Sequence, residues 1–160
     1  MTSRLTSGAW RILVTACVGG VVAAVIGGVS LAQAGSSGGD RTFVLKEVDV
    51  SSANVNISHT KQGAPGDEFI IRFNLLDQHG KKAGWGEVVC TQVIGPRSQC
   101  QATARLAGGD LTVSGLNPFV GKQFTLAITG GTGRYDRASG QLTRIGTGQN
   151  TARDVFDIDG

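Results

Sequence analysis

From Thr42 onward the chain never sustains a helical period over three turns. It runs instead in short β-branched and aromatic stretches cut by glycine. Strand-like runs fall at 42–50, 53–58, 68–76, 84–94, 99–107, 110–115, 122–129 and 137–145, with a further one at 153–158. Some alternate cleanly: Phe124, Leu126 and Ile128 point one way, and Gln123, Thr125 and Thr129 the other. Proline occurs only at 65, 96 and 118, all in predicted loops, where it blocks no ladder hydrogen bond. Many short strands with evenly spaced turns predict an all-β barrel or sandwich. Periodicity alone does not choose between them.

A different composition precedes this region. Met1 to Arg11 carries two arginines and no acid. The run from Ile12 to Ala32 has only Thr15 and Ser30 as polar side chains, and it closes on Ala32-Gln33-Ala34. A basic start, an apolar middle and an A-x-A end read as a secretory signal peptide over residues 1–34. A permanent anchor has nearly the required length of ~20 residues, but the four glycines at 19, 20, 27 and 28 and the cleavage site count against it. Lipid attachment would need a cysteine just after the apolar stretch, whereas Cys17 lies within it. The expected mature protein is secreted, with no membrane span after cleavage; an uncleaved leader would leave it tethered at the membrane. Residues 35–41 form a flexible lead-in and 42–160 one domain, large enough to bury a core. Of the 15 Lys and Arg, Arg4 and Arg11 lie in the leader, leaving 13 against 12 acids. The basic pI is therefore no sign of a nucleic-acid partner, and no Lys/Arg cluster interleaved with aromatics appears.

Cys90 and Cys100 remain outside the leader, an even pair in an exported chain. Each lies in a strand-like run, and Gly95-Pro96-Arg97-Ser98 between them is turn chemistry. A hairpin there sets the two cysteines opposite one another, so a disulfide is expected. Closing that loop stabilises the fold by roughly 2–3 kcal/mol in the chain-entropy model. The spacing is not C-x-x-C, and neither His59 nor His79 stands at ligand spacing, so neither a redox pair nor a metal site is predicted.

The segment Ala127-Ile128-Thr129-Gly130-Gly131-Thr132-Gly133-Arg134-Tyr135-Asp136-Arg137-Ala138-Ser139-Gly140 resembles the allene oxide cyclase and dirigent families. The likeness continues in order through Gly66-Asp67-Glu68-Phe69, Leu75-Leu76-Asp77-Gln78-His79-Gly80, Gly84-Trp85-Gly86-Glu87-Val88-Val89-Cys90 and the leucine–glycine run 106–115. It covers about residues 42–158. The resemblance implies an eight-stranded antiparallel β-barrel with an apolar cavity, assembled as a homo-trimer, holding an apolar small molecule. It implies no metal and no organic cofactor. Enzymes of these families cyclise oxylipin epoxides, and dirigent members steer phenoxy radical coupling. Gly130, Gly131 and Gly133 are read as a structural turn at the barrel rim, where positive φ carries no steric cost for glycine. No Lys-Ser/Thr follows the run, so a phosphate loop is excluded.

On the first strand Phe43, Leu45, Glu47 and Asp49 share one face. The cyclase family places a glutamate and an asparagine two residues apart there, holding a water. Glu47 matches the glutamate and Asp49 stands in the asparagine's place, while the serine-proline that follows in the family is absent from Ser51-Ser52-Ala53-Asn54. If this face points inward, Glu47 and Asp49 are the acid–base candidates, and Phe43 and Leu45 line the cavity beside them; if outward, the carboxylates are a solvated face. Arg72 and Asn74 share a face of the next long strand and are candidates for the cavity or a subunit interface. No nucleophile elbow or catalytic triad signature is present. Two roles remain open: a cyclase or dirigent-like protein, and a non-catalytic barrel that carries an apolar ligand or serves in the cell envelope.

Overall fold

The structure is a computed structural model, and it describes residues 40–60, 63–118 and 121–159. The leader and most of the lead-in lie outside the described residues. Eight strands follow one another: β1 (Arg41–Val55), β2 (Glu68–Leu76), β3 (Lys82–Gln92), β4 (Ser98–Leu106), β5 (Gly109–Asn117), β6 (Gln123–Gly131), β7 (Ser139–Gly148) and β8 (Thr151–Asp159). Each pairs antiparallel with its sequence neighbour, and β1 pairs with β8, so the sheet closes into an up-and-down barrel. Closure is what separates barrel from sandwich, and it leaves no edge strand exposed.

The runs 42–50 and 53–58 are not two strands. They belong to β1, which carries one extra residue between the Asp49↔Phe73 and Ser51↔Arg72 pairs. This bulge bends β1 without ending it. Residues 56–58 fall beyond the strand.

Apolar side chains in phase with the pleat point inward and form one core: Phe73, Leu75, Leu111, Ile128, Phe156 and Ile158 are among its most buried members. Their registers set them toward the end of the barrel that carries the β2–β3, β4–β5 and β6–β7 connections. A 3₁₀ turn, Gly133–Tyr135, closes that end and buries Tyr135 against the core. The glycine run therefore makes a turn at the rim, as its composition predicts. Gly133 has φ +61°, and a Cβ on it would lie 2.5 Å from the Gly108 carbonyl oxygen. Gly131 differs: its φ is ordinary, but a Cβ would meet the Tyr135 and Asp110 backbone oxygens at 2.6 and 2.5 Å, so it is needed for close approach.

The disulfide joins Cys90 of β3 to Cys100 of β4, which face each other directly in register. Among the described residues no helix is long and apolar enough to cross a membrane.

Candidate functional site

The half of the barrel away from the 3₁₀ turn is not filled. It encloses a cavity of about 80 Å³ walled by Phe69, Ile71, Val88, Ala102 and Phe124, with Phe73, Leu142 and Phe156 of the core as its floor. The disulfide sulfurs belong to this wall, so Cys90 and Cys100 shape the interior as well as stapling the sheet. Into this apolar space three charged residues project: Glu47 from β1, Arg144 from β7 and Asp154 from β8.

Register explains their convergence. Leu45 is opposite Asp154 across β1–β8, and Arg144 is opposite Asp154 across β7–β8. Phe124 of β6 is in turn opposite Arg144. Inward positions on these strands alternate with outward ones, so Glu47, Arg144 and Asp154 share one layer inside the barrel. Glu47 is only 6% exposed and Asp154 only 2%. The Arg144 guanidinium donates Nε–H to Glu47 Oε1 at 3.1 Å and also reaches the same oxygen through Nη2. It lies 5.9 Å from the centre of the Phe124 ring, within cation–π range. Burial lowers the Arg144 pKa, but the hydrogen bond and charge of Glu47 outweigh it, and the group sits above its ordinary value.

Asp154 has no such partner. Burial, then the charge of Glu47 and a hydrogen bond shared with it, push its carboxyl up to about 8; Arg144 opposes this only in part. At neutral pH Asp154 is therefore mostly a neutral acid beside the Glu47–Arg144 salt bridge. Asp49, one pleat along β1 and half-buried, is raised as well, by burial first and by Glu47 second. Oδ1 of Asp49 and Oδ1 of Asp154 are buried and have no hydrogen-bond partner. The other buried aspartate, Asp67, shows the contrast: it accepts backbone N–H groups of Ser58, Gly63 and Ala64 at 3.0–3.2 Å. Led by the Ser58 hydrogen bond, these hold its carboxyl below the usual range. Asp67 organises the chain before β2; Asp154 is left chemically unsatisfied. Among the described residues no three His, Cys, Asp or Glu side chains are grouped to hold a metal ion.

Glu47 and Asp49 thus lie on the inward face of β1. Phe43 and Leu45 share that face but do not line the cavity. They lie nearer the closed end, where Leu45 is buried in the core and Phe43 stacks on Phe156 at 4.9 Å between ring centres. For Arg72 and Asn74 the cavity reading is overturned and the subunit interface is left untouched, because β2 turns Phe69, Ile71, Phe73 and Leu75 inward. Arg72 is therefore outside, paired with Glu87 at 3.2 Å and stacked over Trp85, and Asn74 beside it is also on the outer face. Arg144 and Asp154 carry no motif that marks them in the sequence. Their signal is phase: Arg144 is two residues from Leu142, and Asp154 two from Phe156, each a charge in step with the apolar set.

No protein-family model matches the chain, and no curated protein matches it in sequence. Solved structures match it in shape. A pyocyanin demethylase superposes with a TM-score of 0.65 at 29% identity, covering 74% of this chain and 99% of its own. AbnU, an exo-specific intermolecular Diels-Alderase, gives 0.61 at 15% identity over 77% of this chain and 100% of its own. A pterocarpan synthase dirigent protein gives 0.61 at 18% identity, over 74% and 85% respectively. The eight-stranded barrel of the dirigent and cyclase-like proteins is the fold of this chain, in agreement with the glycine-motif resemblance.

Proposed function

We propose that this barrel is an exported protein that holds an apolar, unsaturated small molecule in its cavity and moves a proton during the cyclisation or coupling of that molecule. The observation that carries the reading is the Glu47–Arg144–Asp154 cluster, three ionisable groups in a cavity walled, apart from Asn117, by apolar side chains and the disulfide. An apolar wall folds a flexible substrate into one shape, and few polar groups decide where charge develops. Asp154, neutral at pH 7, donates its proton to a substrate oxygen or carbon whose electron pair becomes the new O–H or C–H bond. The resulting carboxylate lies near Arg144, and it recovers a proton from a neighbouring substrate carbon, so the product has the mass of the reactants. Glu47 fixes Arg144 in place, and Asp49 supplies a second raised carboxyl beside it.

Support comes also from the structural neighbours, which include a Diels-Alderase and a dirigent protein acting in pterocarpan synthesis. The leader over 1–34 supports export, and N-terminal sequencing of the secreted form is expected to begin at Gly35. Three copies of the chain are proposed to assemble, on the strength of the family resemblance alone.

The test is to incubate the purified protein with a lipid extract of its host culture and follow bound and released species by native mass spectrometry. A released species of unchanged mass but altered chromatographic retention is expected. Its formation should fall by about 10²-fold or more in Asp154→Asn and Glu47→Gln. Recovery of the input ligand unaltered from wild type would instead assign the barrel to carriage.

A further inference from the structure

We infer that the end of the barrel opposite the 3₁₀ turn docks on a lipid bilayer bearing anionic headgroups, through aliphatic side chains that crown that end. The inference concerns the outside of the barrel and holds whether the cavity carries or converts its ligand. This end bears the β1–β2, β3–β4, β5–β6 and β7–β8 connections. Ile94 in the β3–β4 connection is 79% exposed and Ile57 in the β1–β2 connection 52%. Val55 at the end of β1 and Leu116 near the end of β5 are exposed as well. Single exposed aliphatic residues are ordinary. These gather at one end: among the described residues, the connections of the closed end carry no exposed large apolar side chain.

Both loop tips turn their polar groups in and their isoleucine out. In the β3–β4 turn Gln92 Nε2 donates to the Gly95 carbonyl at 2.6 Å, and the Val93 N–H to the Arg97 carbonyl at 3.0 Å. In the β1–β2 connection Asn56 Nδ2 donates to the Thr60 carbonyl at 2.8 Å, and the Ser58 N–H to Asp67 at 3.0 Å, with Ile57 held exposed between them. Neither isoleucine belongs to the core, so a polar residue would serve either turn without loss to the fold. An apolar contact outside the chain gives these side chains a use.

Charge selects the occupant. Arg97, in the same turn as Ile94, and Lys122, just before β6, are exposed, and no ion pair among the described residues engages either. The carboxylates of this end are turned to internal use: Asp67 accepts three backbone N–H groups, and Glu68 accepts the Thr91 hydroxyl. The exposed Asp136, Asp157 and Asp159 lie toward the other end. Aliphatic tips with a cationic edge suit an anionic bilayer, where the side chains enter the acyl boundary and the cations meet the headgroups. A protein partner is served less well. Hot spots of protein interfaces are dominated by Trp, Tyr and Arg in packed pockets, whereas these tips stand on separate connections around the rim.

The crown is also continuous with the cavity, which occupies the half of the barrel nearer this end. Leu116 is followed by Asn117 on the cavity wall, and Val55 by Asn54, whose partner across the sheet is the cavity-lining Phe69. Docking therefore sets the cavity toward the apolar phase in which apolar small molecules collect.

The test uses the secreted protein, in the form that N-terminal sequencing defines, and no cavity ligand. Co-sedimentation is measured with vesicles of phosphatidylcholine alone and of phosphatidylcholine mixed with phosphatidylglycerol. The mixed vesicles are expected to bind wild type at least about fivefold more tightly, a preference lost in the double variant Arg97→Gln/Lys122→Gln and weakened by salt. Ile94→Ser should weaken binding about tenfold or more, whereas Val44→Ser, on the outer face toward the closed end, should leave it unchanged. Near-UV circular dichroism checks that each variant is folded. Depth is read separately, by quenching with brominated lipid: a tryptophan introduced by Ile94→Trp is expected to be quenched, and one introduced by Val44→Trp is not. Trp85 contributes the same background to both. Absence of wild-type binding, equal binding to the two vesicle types, or quenching at position 44 as strong as at 94 overturns the proposal. So does a wild-type oligomer that ignores vesicles and is dissociated by Ile94→Ser, which would assign the crown to contact between copies of the chain. Each of these results leaves the cavity reading standing, because no ligand enters the measurement.

Discussion

At Asp154 the protein buries a carboxyl with neither a backbone donor nor a cation of its own. A residue kept for stability alone would be better served by an apolar side chain in that layer, so the site costs the fold something. The sign of that cost is set by the raised pKa. The carboxyl binds its proton more tightly in the folded state, where it titrates at about 8, than in the unfolded chain at its ordinary 3.8. Its contribution is therefore fully present below about pH 4 and is lost as pH rises to 8. Urea unfolding should show Asp154→Asn gaining stability relative to wild type progressively over that window and levelling beyond it. A difference that does not change with pH would show that Asp154 is not held protonated. Glu47 and Asp49 are legible from sequence because β1 alternates plainly and the resemblance points to the same strand. Arg144 and Asp154 are not, because β7 and β8 carry polar residues on both faces. A charged residue stands out there only after Leu142, Phe156 and Ile158 have fixed which phase is inside.

Two strand-level devices give the cavity its shape. Gly86 lies in β3 opposite Phe73, where a Cβ would come within 2.5 Å of the Phe73 ring and of the Thr103 carbonyl oxygen. The glycine leaves room for the ring to lie across the strand and floor the cavity. Gly86→Ala is expected to destabilise the protein by about 1–3 kcal/mol, measured by urea unfolding. Unchanged stability would mean that Phe73 has another rotamer available. The disulfide is the second device. Replacing both Cys90 and Cys100 by alanine should cost roughly 2–4 kcal/mol, from the freed 10-residue separation and the lost packing at the cavity wall. Chemical denaturation with a matched oxidised control would check this, and a loss below ~1 kcal/mol would contradict it. The hairpin and its cysteines are legible because strand, turn and strand each carry their own chemistry. The bulge is not: in β1 the alternation through Val48-Asp49-Val50 gives way to Ser51-Ser52, which reads as a break between two strands. A bulge and a break look alike in one strand's sequence, because the difference lies in whether the partner strand continues.

For the molecule as a whole, closure decides function, because only a closed sheet encloses an interior in which a carboxyl can be kept from water. Strand count and turn spacing leave sandwich and barrel equal, and the ordered motifs from Gly66 to Gly140 tip the sequence toward the barrel that the structure has. Facing direction is less legible: the outward Arg72 and the inward Arg144 are both arginines in strands, and only the closed sheet assigns one to solvent and one to the cavity. Tight binding of a guest that enters the closed barrel should raise the midpoint of thermal unfolding with guest concentration. The account stands most directly on the protonation of its interior. Carboxyl ¹³C NMR of the aspartate-labelled protein, titrated from pH 3 to pH 9 and assigned with Asp154→Asn, measures it. One aspartate is predicted to titrate at about 8 and to vanish from the spectrum of the variant. If every aspartate instead titrates within about a unit of the ordinary value near 4, the cavity holds an ionised Asp154, and the proposed proton transfer has no donor.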